Sequence, residues 1–141
     1  MVDSDLIIAK AGSVRSHLNR VYEKRNVDLD GFLKDIDTQE SILFNIQMAV
    51  QNCIDIAAHI ISEKGLGVPG STTEMFYVLG KNGYLDSDLT QKMVKAIGFR
   101  NLIVHEYGKI ELEQVYEIAQ NDIKDLNEYL KAIIKKLGLT D

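Results

Sequence analysis

Residues 100 to 107 read Arg-Asn-Leu-Ile-Val-His-Glu-Tyr, and three of these side chains suit one kind of reaction. A guanidinium grips phosphate through paired N–H donors. An imidazole moves protons near neutral pH, and a carboxamide one helical turn away can orient its ring. Arg100, Asn101 and His105 therefore point to chemistry at a phosphodiester. Tyr107 has two readings: a packing residue with an anchored hydroxyl, or a modifiable hydroxyl beside the reacting centre.

The elements around the segment must position it. It closes an amphipathic helix predicted from Asp86-Ser87 to a stop near Gly108. Residues on a helix advance by about 100° each, so with Leu89 at zero, Met93, Ala96, Ile103 and Val104 fall within about 60° and form an apolar stripe. Arg100 lands near 20°, inside that stripe, where a guanidinium is costly unless paired. Asn101 and His105 lie at about 120° and 160°, with Gly98 on their side. About 140° thus separates Arg100 from His105. Either the helix loosens after Val104, or two copies of the chain pair so that each contributes to a shared groove, with Gly98 permitting close approach. The competing reading gives Arg100 an acid such as Asp55 across the bundle and makes His105 a partner of the helix dipole.

The rest of the pattern is helical too, with no run alternating like a half-buried strand. A first helix is expected from Ser4 to Arg25, burying Ile7, Ala11, Val14, Leu18 and Val21. Residues 26–37 form a linker that Phe32, Leu33 and Ile36 pin to the core. A second helix starts at a capping box of Asp37 and Glu40 and ends at Lys64-Gly65. Its stripe of Leu43, Ile46, Val50, Cys53, Ala57 and Ile60, widened by Ile42, Ala49 and Ile56, makes it central. Gly65 to Gly70 is a connector without the lysine and serine of a phosphate-binding loop. Ser71 and Glu74 cap a short helix through Met75, Phe76 and Leu79, broken at Asn82-Gly83. A last helix runs from Glu111 to Leu137 with a seam of Leu112, Val115, Ala119, Ile123, Leu126, Leu130, Ile133 and Leu137. The fold class is all-α: an antiparallel bundle of four main helices plus one short helix.

At 141 residues the chain has the length of one domain, spanning 1–141. No apolar stretch is long enough for a membrane span, and Met-Val-Asp-Ser-Asp lacks the basic start of a signal peptide, so a cytoplasmic location is expected. The net charge of −5 argues against non-specific nucleic-acid binding through the overall field, though Lys92, Lys95 and Arg100 share one helix. Cys53 is the only cysteine, which leaves no internal disulfide and no cysteine cluster for zinc; it reads as a buried small hydrophobe. His59 and Asp55 stand four apart on the second helix, too few for a metal site, and read as a solvated face or subunit contact. His17 reads as surface.

Arg100, four residues, His105, one residue and Tyr107 resemble the Arg-x4-His-x-Tyr signature of HEPN-domain proteins, most closely the HepT-like toxins. The polar Asn101 after the arginine fits, and Cys53 to Ile60 resembles the family's central helix. Where members often carry glutamate, four residues before Asp55, this chain has Gln51. The resemblance implies a metal-independent endoribonuclease toxin, without cofactor, that acts on RNA as a homodimer whose signature segments line one cleft. It implies His105 as general acid or base for attack by the 2′-hydroxyl, Arg100 as stabiliser of phosphate charge, and Asn101 as orienting group. Asp55 would be a supporting residue. A partner resembling the MntA nucleotidyltransferase antitoxin would adenylylate Tyr107, and the added charge would repel RNA. The alternative is a non-catalytic helical module that binds a nucleotide or serves such a partner.

Overall fold

The computed structural model describes residues 1–140. Helix α1 (Ser4–Lys24) begins at Asp3, whose carboxylate accepts the Leu6 N–H at 3.2 Å and so satisfies one of the four orphan donors of a helix start. Its five expected core residues are all fully buried. They recur every three or four residues and place a continuous apolar face on α3 (Ile36–Glu63). The two helices run antiparallel: Asp3 meets His59, Lys10 meets Asp55, and His17 meets Asn45. The predicted stripe of α3 is buried along its whole length, the widening residues included. Helix α3 is therefore the central post of the bundle.

Helix α4 (Thr72–Lys81) packs on α3 and on α5 (Ser87–His105). The expected cap is present: Ser71 Oγ accepts the Glu74 N–H at 3.1 Å, and Glu74 accepts the Gly70 N–H at 2.7 Å. Gly80 has a packing reason, since a Cβ there would stand 2.7 Å from Thr90 Oγ1 of α5. Among the described residues there is no strand, and the elements form the expected helical bundle.

Four local expectations are corrected. The linker contains a helical turn, α2 (Leu29–Leu33), capped by Asp28; Phe32 pins it, whereas Ile36 is exposed. Helix α3 is capped by Asp35, not Asp37, because Asp35 accepts both the N–H and the hydroxyl of Thr38. Helix α5 stops at His105, ahead of Gly108, because Glu106 leaves the helical basin at φ −140 and ψ 47. The last helix is not continuous either: α6 (Leu112–Glu117) passes through a π turn (Ile118–Asp122) into α7 (Lys124–Leu137).

The seam itself explains the π turn. Val115, Ala119 and Ile123 follow at two successive steps of four, which on an ideal helix drifts about 80° off the stripe. A wider turn closed by i→i+5 bonds restores the register, and all three side chains are buried. Arg25 from the end of α1 stabilises the turn by donating to the Ala119 and Gln120 carbonyls at 3.2 and 3.4 Å. Gln120 returns a bond to the Arg25 carbonyl at 2.7 Å.

Candidate active site

The site is built on the last two turns of α5. Asp86 fixes the helix start by accepting the Leu89 N–H at 2.8 Å, and Met93, Ile97, Phe99 and Ile103 are buried in the core. The helix is regular through His105, its last residue. Tyr107–Lys109 then form a 3-10 turn, closed by a Lys109–Glu106 ion pair at 3.0 Å. His105 is exposed on this end of the bundle, and Tyr107 beside it is 55% exposed.

Arg100 is half-buried, as its position within the stripe requires, and its guanidinium is held at both ends. One terminal nitrogen donates to Asn101 Oδ1 at 2.9 Å, the other to Gln51 Oε1 of α3. Gln51 cannot turn its amide around, because its Nε2 donates to Asp55 Oδ1 at 3.0 Å. Asp55 is fixed in turn by Lys10 of α1, whose ammonium lies 3.0 Å from Oδ2. Lys10 and Asp55 are partly exposed, so the ion pair itself is worth roughly 0.2–1 kcal/mol; its larger effect is to fix which way Gln51 points. The relay Lys10–Asp55–Gln51–Arg100 joins three helices.

Arg100 does not pair directly with Asp55. Among the described residues no carboxylate lies within 4.0 Å of its guanidinium, and its Nε is buried with no hydrogen-bond partner. A cation in this setting keeps its charge available to an incoming anion, and an unsatisfied buried donor calls for an explanation. Asn101 holds the arginine, not the imidazole: its Oδ1 accepts from Arg100, and His105 makes no side-chain hydrogen bond among the described residues. Gln51, to which the sequence pattern gave no role, is the side chain that links Arg100 to Asp55. The available signal was its spacing: Gln51 stands four residues before Asp55 on the outward side of α3.

The other titratable candidates have structural work. His59 Nε2 accepts the Asp3 N–H at 2.9 Å and ties down the start of α1. His17 is not a bare surface residue, since its Nδ1 meets Asn45 Oδ1 at 2.8 Å and its ring is edge-on to Phe44. Cys53 is buried, and burial pushes its thiol pKa up, keeping it protonated and unreactive. Its carbonyl accepts the Tyr129 hydroxyl at 3.0 Å, a contact that the apolar pattern did not signal.

A helical bundle of this order that carries arginine, histidine and tyrosine at the end of α5 defines a HEPN-type domain. The chain belongs to the HepT-like ribonuclease family, described as "Ribonuclease HepT-like", whose model matches residues 14–133. It is 30% identical over 130 residues to the mRNA nuclease HepT of Shewanella oneidensis, covering 92% of this chain and 97% of that protein. To the tRNA nuclease HepT of Aphanizomenon flos-aquae it is 26% identical over 132 residues, covering 94% and 90%. The solved structure of a tri-AMPylated Shewanella oneidensis HEPN toxin in complex with MNT antitoxin matches with a TM-score of 0.86. The identity there is 30%, over 93% of this chain and 98% of that one.

Proposed function

We propose that the protein is a metal-independent endoribonuclease toxin whose site is formed by Arg100, Asn101 and His105, and that the whole chain acts as one such domain. The observation that carries this reading is Arg100: a guanidinium set on the apolar stripe, aimed by Gln51 and Asn101, and without a carboxylate partner among the described residues. His105 takes the proton of an RNA 2′-hydroxyl as that oxygen attacks the phosphorus and the 5′-oxygen leaves. Arg100 stabilises the charge that builds on the phosphate oxygens. Asn101 acts by orienting Arg100, and Asp55 acts through Gln51.

The working unit is a homodimer. Supporting this, α5 stays helical through His105, so loosening of the helix does not bring its imidazole round to Arg100. A second copy facing the same cleft supplies the complementary group. A nucleotidyltransferase antitoxin of the MntA type is the proposed partner, and Tyr107 its target for adenylylation. The exposed position of Tyr107 supports this, as does the AMPylated state of the Shewanella toxin. A phosphate added there would repel RNA from the neighbouring cleft. The protein acts on RNA in the cytoplasm. No helix among the described residues is long and apolar enough to cross a membrane.

The test is cleavage of RNA by the purified protein with a chelator present, comparing the parent with Arg100→Ala and His105→Ala. Both variants are expected to keep the helical fold and lose cleavage and growth inhibition. If both stayed as active as the parent, this reading would be wrong. Nucleotide binding with no cleavage by the parent would replace it with a binding module.

A further inference from the structure

Along α3, Phe44, Met48, Gln51 and Asp55 follow at steps of four, three and four, so they share one face. Gln51 and Asp55 belong to the relay behind Arg100. Phe44 lies on the same face about 10 Å from Gln51 along the helix axis, at 1.5 Å per residue. Its ring is 54% exposed, while every isoleucine, leucine and valine of α3 beyond the first residue is buried. More than half of this aromatic residue is therefore left uncovered, and its one ring contact among the described residues is with His17.

His17 of α1 stands edge-on to that ring, with centroids 6.1 Å apart and planes at 76°. Its orientation is fixed from below. Asn45 is 4% exposed, and its Nδ2 donates to the Ser41 carbonyl at 2.8 Å, which leaves its Oδ1 as an acceptor. The nearby His17 Nδ1 is therefore the donor of the 2.8 Å contact. In the neutral ring, Nε2 is then an acceptor with no partner among the described residues. The surrounding charge is distinctive too. Residues 10–25 contain Lys10, Arg15, Arg20, Lys24 and Arg25 against Glu23 alone. That gives this stretch +4 in a chain of net charge −5.

We infer that Phe44 and His17 form a nucleobase subsite for single-stranded RNA, flanking the phosphate position at Arg100; this rests on the nuclease reading above. The Phe44 ring supplies a stacking face, as RNA-binding proteins use aromatics for splayed bases. His17 Nε2 accepts a hydrogen bond from an exocyclic amino group at the base edge. The basic length of α1 attracts the strand's backbone. A second copy of the chain is the other occupant that an exposed aromatic suits. The charge decides against it, because a two-fold contact would set the same basic stretch, residues 10–25, close to its own copy.

The experiment uses the full chain and a short, mixed-sequence, fluorescently labelled oligoribonucleotide. Phe44→Ala, Phe44→Leu and Phe44→Tyr are compared for cleavage kinetics. Binding is read by anisotropy in a His105→Ala background, and oligomeric state by light scattering. Loss of stacking is expected to weaken binding by about tenfold in the Ala and Leu variants, expressed in KM rather than kcat. Tyr, which retains the aromatic face, is expected to bind as the parent does, with the oligomer unchanged in all three. A Leu variant that binds as well as the parent, or an Ala variant that dissociates into monomers, overturns the subsite. If the parent cleaves RNA and the Phe44 variants match it, the subsite falls and the nuclease reading stands. If the parent binds in a Phe44-dependent way yet cleaves nothing, the subsite stands and the nuclease reading falls.

Discussion

Helices α3 and α5 pack against each other, yet they treat polar groups in opposite ways. Each buried polar side chain of α3 is satisfied by a nearby carbonyl: Gln39 donates to Phe32 of α2, and Asn45 and Asn52 donate to Ser41 and Met48 of their own helix, each at 2.8 Å. Helix α5 ends with a buried guanidinium nitrogen that has no acceptor and an imidazole that has no partner among the described residues. A satisfied polar group adds to stability and is finished. An unsatisfied one reduces stability locally and remains available to a ligand. The contrast separates the helix that holds the fold from the one that carries the proposed site, and substitutions should separate them as well.

The largest effect belongs to Arg100. Removing a preorganised group that stabilises transition-state charge lowers kcat by about 10²–10³, so Arg100→Ala is expected to lose cleavage on that scale while its thermal melt stays close to that of the parent. Ile56→Ala is the counterpart on α3. Ile56 is fully buried, and truncating such a residue costs about 2–5 kcal/mol. Its folded fraction should still cleave RNA at the parental rate, measured below the melting transition. The division of labour fails if Arg100→Ala unfolds the protein, or if Ile56→Ala inactivates molecules that remain folded.

The same contrast governs what the sequence disclosed. The cores of α1 and α3 were readable because long apolar stripes are redundant: no single residue decides the period. Arg100 was readable as an anomaly within such a stripe. Contacts between helices are not encoded in such a stripe. Gln51 acts through a contact between helices 49 residues apart in sequence, and no local pattern reports that. His17 reads as surface from its own helix because its partner Asn45 lies on another one. The π turn was present in the doubled step of four through Ala119, but a seam that still looks apolar conceals a change of pitch. The stop of α5 at His105 depends on the backbone of Glu106, which no residue preference required.

An intermediate effect is expected where the two helices exchange a bond. Gln51→Ala removes the α3 acceptor for Arg100 and leaves Asn101 to hold it alone. A hydrogen bond to a charged group is worth about 1.5–3 kcal/mol, though the half-exposed arginine finds water in compensation, so cleavage is expected to fall by about tenfold and stability only slightly. Gln51→Glu is the sharper version. A carboxylate at this place would pair with the guanidinium and compete with phosphate for it, and the loss should appear as weaker binding of an oligoribonucleotide at a fixed, low salt concentration. Were the Glu variant to bind RNA more tightly than the parent, Arg100 would not be the group that meets the phosphate.

The smallest effect lies at the far end of α3, where a charge is spent on the fold alone. Asp35 caps the helix, and its carboxyl pKa is held below the ordinary 3.8, first by the Thr38 hydroxyl and then by the Thr38 N–H. A depressed folded-state pKa means that the ionised form is favoured by folding, so the contribution is fully present above 3.8 and fades as pH falls through the lower folded value. Asp35→Ala should therefore melt slightly below the parent at neutral pH, and the two curves should converge in strong acid. Asp35→Asn, which keeps an acceptor but does not titrate, should narrow the neutral gap. A gap that stayed constant through the acid range would mean that the cap works through shape alone, and that the charge at Asp35 contributes nothing to the helix it begins.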